Sequence, residues 1–171
     1  MRHTRTPLVA VALVVALLTV PASALASDQS IWNTWNHNHA RALTKALDKR
    51  EKAIKRMLDA EYRNRRLIRK AIKTHPPIRR ILGKISAAVK RQSSSSEDGA
   101  KAKRLILKSL KAWSTSMKLN VVALKWVLRG RRGRASRTFD RQKAAEKRTQ
   151  KYAKRAIELL QGAGVDVSQK R

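Results

Sequence analysis

Downstream of residue 26, the most apolar stretch of the chain is Arg104 to Leu128, RLILKSLKAWSTSMKLNVVALKWVL, and it constrains the fold more than any other segment. Ile106, Leu110, Trp113, Met117, Val121, Leu124 and Leu128 recur at steps of three and four, the spacing of one face of an α-helix. From Leu119 onward, Val122 and Trp126 add a second stripe, and the polar positions left there are Asn120 and Lys125. A helix that is apolar round most of its circumference belongs in a core, so the other segments are expected to wrap around this one.

Those segments also read as helices. Trp32, Trp35, Leu43, Ala46, Leu47, Ile54, Met57, Leu58, Ile68 and Ala71 keep helical spacing from Ile31 to Thr74, ahead of Pro76 and Pro77. Unbroken, that helix would be about 66 Å long at 1.5 Å per residue, too long for a small domain, so a break is expected near Asn36-His37-Asn38-His39. Pro77 suits the first turn of a shorter helix carrying Ile78, Ile81, Leu82, Ile85, Ala88 and Val89 and ending near Gln92. Ser94-x-x-Glu97 fits a capping box that opens the central helix, and Glu97-Asp98 suits its positive end. The spacing of Phe139, Gln142, Ala145, Thr149, Tyr152, Ala156, Leu159 and Leu160 predicts a last helix from about Thr138 to Gln161, with Gly162 as its C-terminal cap. Val121 to Leu128 could form a strand, but one strand makes no sheet.

The first 26 residues have the pattern of a secretion signal. Arg2 and Arg5 precede an apolar run from Leu8 to Val20, followed by Pro21 and the small-residue ending Ala24-Leu25-Ala26. The run is shorter than the roughly 20 residues that span a bilayer. No arginine pair precedes it, so the general secretory route is expected, with an extracellular, envelope or periplasmic destination. Ser27-Asp28-Gln29-Ser30 then reads as a helix start. The expected architecture is all-α. It is a three- to four-helix antiparallel bundle with long helices, in which residues 27–162 form a single helical domain after a cleavable signal peptide at 1–26. Residues 163–171 form a disordered tail.

Charge decides the class of partner. The chain carries 41 lysines and arginines against 11 aspartates and glutamates, a formal net charge of +30. A field of that size concentrates anions and opposes compaction at low salt. With no cysteine in the sequence, disulfides cannot offset this repulsion, and helix packing must. Tyr62 to Ser96 and Gly99 to Phe139 contain no acid at all, whereas helices that merely need solubility intersperse both signs. The candidate anion contacts are therefore Arg65, Arg66, Arg69, Lys70, Arg79 and Arg80 in the first interval. In the second, the string Arg129, Arg131, Arg132, Arg134 and Arg137, with Gly130 and Gly133, reads as a loop between the last two helices, where guanidinium forks and bare backbone can meet phosphate.

Other chemistry finds little purchase. His37 and His39 are two apart and point to different faces of a helix, so they do not suggest a metal site, and no metal or cofactor is expected. The carboxylates are scattered, and no catalytic motif is found. The expected function is non-catalytic binding of polyanions, such as wall or surface phosphate polymers or extracellular nucleic acid. Amphipathic basic helices with four tryptophans leave a membrane-active protein acting on anionic lipid as the alternative, and an envelope chaperone or scaffold as a third. A thin core leaves room for a second copy of the chain as a partner.

Overall fold

The computed structural model describes residues 22–168, with side chains from Ala26 onward. All the regular structure among these residues is helical: α1 (Ala22–His37), α2 (Ala40–Asp59), α3 (Arg65–Lys73), α4 (His75–Arg91), α5 (Glu97–Leu128) and α6 (Arg132–Gly162). Residues 1–21 of the expected leader lie outside the described residues. α5 and α6 are the longest, at 32 and 31 residues.

The long helical pattern from Ile31 to Thr74 is divided into three. Its first break falls where expected, with α1 ending at His37 and His39 adopting left-handed backbone, φ 61°. The second was not legible. Ala60–Asn64 turns the chain through Glu61 and Tyr62, both left-handed, and the Asn64 side chain accepts hydrogen bonds from the amides of Arg66 and Leu67 to open α3. Pro76 and Pro77 occupy the first turn of α4, which starts at His75, because their missing amides would have no helical partner there anyway.

Several expected boundaries move. The cap of α5 is Ser96, not Ser94: its Oγ accepts from the Gly99 amide at 2.8 Å, and Glu97 and Asp98 lie in the first turn. Asp28 does not cap a helix start of its own, since α1 already runs from Ala22. Its carboxylate, 2% exposed, instead reaches across to the start of α5, accepting from the Ser95 amide at 3.2 Å and from Ser96 Oγ at 2.5 Å. The arginine loop shrinks to Arg129–Arg131, because α6 begins at Arg132 and takes in the rest of the string. At the other end of α6, Gly162 is the last helical residue, and the left-handed turn falls on Gly164, φ 79°. That turn brings Val165, 5% exposed, into the core, while the Asp166 amide donates to Gln29 Oε1.

The core is built where the stripe predicted. Ile106, Leu110 and Met117 of α5 join Ile78, Leu82, Ile85 and Val89 of α4, Ile31 and Trp32 of α1, and Ala156 and Leu160 of α6. A second cluster of Met57, Ile68, Ala71 and Leu124 sits under the α2–α3 corner. Trp35 stands edge-on to Trp32 at 5.5 Å, packed against the main core.

The contact between α5 and α6, the most extensive among the described residues, is different in kind. Ser109 Oγ donates to the Thr149 carbonyl, Ser116 Oγ to Glu146 and Asn120 Nδ2 to Gln142 Oε1, so rising numbers on α5 meet falling numbers on α6. The two helices form an antiparallel hairpin that adds these polar contacts to the apolar core they share, with the small side chains of Ala123, Ala135 and Ala145 also buried along it. Small side chains let the axes approach closely, which a thin apolar inventory requires.

Candidate functional site

All eleven cations singled out from the sequence are exposed, but the fold does not gather them into one site. Arg65 is carried to the α5–α6 turn, where its guanidinium donates to the Leu128 carbonyl at 3.2 Å. Arg129 and Arg134 lie over the Trp126 ring, 5.2 and 5.1 Å from its centroid, which explains how a half-buried tryptophan is tolerated there. Beside this turn, Arg63, Arg132 and Lys143 line a cleft of about 920 Å³ with Tyr62 and Phe139, although Glu61 and Asp140 share it. Arg79 belongs elsewhere, in a groove of about 560 Å³ between α4 and α5, with its Nε 3.5 Å from Ser114 Oγ. Nothing draws Arg66, Arg69, Lys70 or Arg80 to either place.

A more regular arrangement runs along the hairpin itself. On α5, Lys101, Arg104, Lys108, Lys111, Thr115, Lys118 and Lys125 recur at steps of three, four or seven, and every one is exposed. On α6, Arg134, Arg137, Arg141, Ala144, Arg148, Lys151 and Arg155 follow the same steps and are likewise exposed. Both rows therefore keep to one side of their helix. The antiparallel register sets them side by side. Trp126 meets Arg134 at one end of the seam, and Leu105, Lys101, Arg104 and Lys108 share a groove with Arg155 at the other. Between these ends the register is held by the hydrogen bonds Ser116–Glu146 and Asn120–Gln142.

The acids lie off this face or at its edge. Asp140 lines the cleft with Glu61, and Glu146 is bound within the seam by Ser116 and Gln142. At the far end, Lys101 pairs with Glu97 and Asp98, and Arg155 with Glu158. Hydrogen bonding and attraction between Lys101 and Glu97 raise the lysine pKa and lower that of the glutamate, each held charged by the other. None of the four ion pairs of the described residues involves Arg104, Lys108, Lys111, Lys118 or Lys125, nor Arg134, Arg137, Arg141, Arg148 or Lys151. Most of these cations lie outside the dense basic strings of the sequence. Their signal is the step of three, four and seven, visible in the sequence once lysine and arginine are scored as the hydrophobic residues were.

One titratable cluster lies inside the bundle. His75 is fully buried; its Nδ1 lies 2.9 Å from the Ala71 carbonyl, and its Nε2 accepts from Arg50 Nε at 3.2 Å. This arrangement requires the neutral ring with its proton on Nδ1. Burial, then the nearby Arg50 charge, lowers the His75 pKa, and burial likewise lowers that of Arg50. Among the described residues no group of three or more His, Asp or Glu is placed to hold a metal ion, and no helix is long and apolar enough to cross a membrane.

No known family, curated protein or solved structure matches this chain.

Proposed function

We propose that this protein is exported and binds polyanions through lysine and arginine, without a catalytic step, and that phosphate-bearing polymers of the cell envelope are its targets. The observation that carries this reading is the hairpin face. Two rows of exposed cations, ion-paired among the described residues only at Lys101 and Arg155, lie side by side, while the acids of α6 are turned toward the cleft, held in the seam or paired at the end. Keeping like charges together costs repulsion that a solvated surface would relieve by interspersing acids, and an anionic partner relieves it instead. The test is retention of the purified full chain on a phosphate-bearing matrix in about 0.15 M salt, where charges are screened beyond about 8 Å. Elution at or below that salt refutes the reading.

One observation favours the membrane-active alternative. Leu58, 47% exposed, and Tyr62, 37% exposed, stand at the α2–α3 corner close to Arg63 and Arg65, an apolar tip among cations that suits an anionic lipid interface. Release of dye from anionic vesicles, abolished by Leu58→Ser and Tyr62→Ser together, would establish it; intact vesicles would exclude it.

A further inference from the structure

The hairpin face is a track, and its shape selects among polyanions. We infer that it binds a single extended phosphate chain, laid lengthwise along the two rows, in preference to a double-stranded nucleic acid or a lipid surface. This rests on the polyanion reading above and goes further in naming the surface and the class of ligand.

The argument begins with dimensions. From Arg104 to Lys125 the α5 row runs about 32 Å at 1.5 Å per residue, and the α6 row from Arg134 to Lys151 about 26 Å. The helix axes lie roughly 8 to 10 Å apart, so cations flank a narrow lane on both sides, interrupted at Thr115 and between Lys118 and Lys125 on α5 and at Ala144 on α6. Lys108 sits on the crest, lining both the α4–α5 groove and the groove shared with Arg155. A flexible phosphate chain can follow such a lane from end to end and take charge contacts from either side. A duplex cannot, because its strands wind around an axis with a turn of about 34 Å, so a straight row of similar length crosses each strand about once.

Two further observations narrow the chemistry. Single-stranded nucleic acids gain much of their affinity by stacking bases on aromatic rings. The tryptophan at this seam, Trp126, already has Arg129 and Arg134 over its ring, so the lane offers charge without a free stacking platform. Nor does it hold an exposed large apolar side chain to enter a bilayer, since among the described residues those are Leu58 and Tyr62, away on the α2–α3 corner. What remains is recognition of the phosphate chain itself.

The experiment titrates the full chain with inorganic polyphosphate, a single-stranded oligonucleotide, a DNA duplex and anionic vesicles, compared at equal phosphate concentration between about 0.05 and 0.2 M salt. Two variants of equal charge are compared: Lys111→Gln/Lys118→Gln/Arg141→Gln/Arg148→Gln on the lane, and Arg66→Gln/Arg69→Gln/Lys70→Gln/Arg80→Gln off it. All eight positions are exposed, and an unchanged helical circular dichroism spectrum verifies folding. Polyphosphate is expected to bind at least as tightly as the oligonucleotide and more tightly than duplex or vesicles. Affinity should rise with chain length until the chain spans the lane, and then level off. The lane variant should lose about tenfold more affinity than the control and lower the log–log salt slope by about 3, at roughly 0.7 per phosphate contact. Equal losses from the two variants would overturn the lane while leaving general polyanion binding intact, and a tighter duplex or vesicle would overturn the single-chain ligand. Absence of binding to all four would overturn the polyanion reading as well.

Discussion

Replacing Gly99 with alanine tests the contact that joins the first described helix to the central one. Gly99 lies in the first turn of α5 directly against the Asp28 carboxyl group, and a Cβ added there would overlap all three of its terminal atoms. Asp28 would have to withdraw, giving up its bonds from the Ser95 amide at 3.2 Å and Ser96 Oγ at 2.5 Å. Two hydrogen bonds to a charged group are worth about 3 to 6 kcal/mol together, and alanine recovers about 1 kcal/mol of helix propensity over glycine, so the net loss is about 2 to 5 kcal/mol. In urea, with an m-value of about 2 kcal/mol per M, the unfolding midpoint followed by circular dichroism should fall by about 1 to 2.5 M. The sign reverses when the obstacle is removed: in an Asp28→Ala background, Gly99→Ala should stabilise by about 1 kcal/mol. An unchanged or higher midpoint for Gly99→Ala alone would refute the reasoning, because propensity would then be the only effect at that position.

The buried His75 makes stability depend on pH. Its folded pKa lies below the usual 6.5, so the unfolded chain binds the extra proton first; the stabilisation is complete above about pH 6.5 and is lost as pH falls below it. The melting temperature should therefore drop between pH 7.5 and 5.5, and His75→Gln should flatten that drop if the histidine is its source. Asn64→Ala removes two bonds to the first amides of α3 and should cost about 1 kcal/mol in equilibrium unfolding, with faster amide exchange at Arg66 and Leu67. Arg134→Gln removes one of the two guanidiniums over Trp126 and should cost about 0.5 to 1 kcal/mol in thermal unfolding while altering tryptophan emission. No change in either observable would mean the ring and the arginine do not interact in solution.

Features governed by spacing along one helix were legible in the sequence. Ile106, Leu110, Met117 and Leu124 are buried as their steps of three and four require, and Gln142, Ala145, Ala156 and Leu160 likewise on α6. Features decided by distant residues were not. Four consecutive serines offered no local reason to prefer Ser96 as the cap; the choice follows from Asp28, which binds it from 68 positions away. The corner at Glu61 and Tyr62 contains no glycine, so nothing in its composition announced left-handed backbone. Asn120 reads as a polar intruder in an apolar stripe until Gln142 is placed opposite it across the seam. For the candidate site, the dense string from Arg129 to Arg137 drew the eye to a loop, yet the fold makes most of it the first turns of α6. The longer rows were written in the same periodic code as the core, but on the outward side.

The brevity of the Arg129–Arg131 connection has a consequence in time. Its three residues join the two longest helices, so their seam closes a short loop, whereas α1 must find Ser95 and Ser96 across more than sixty residues. Local contacts form sooner than distant ones because less chain entropy is lost in reaching them. The hairpin is thus the natural first product of folding, and α1 the natural last arrival. Both rows of cations lie on that early product, so the charged face is assembled before the bundle behind it has finished closing.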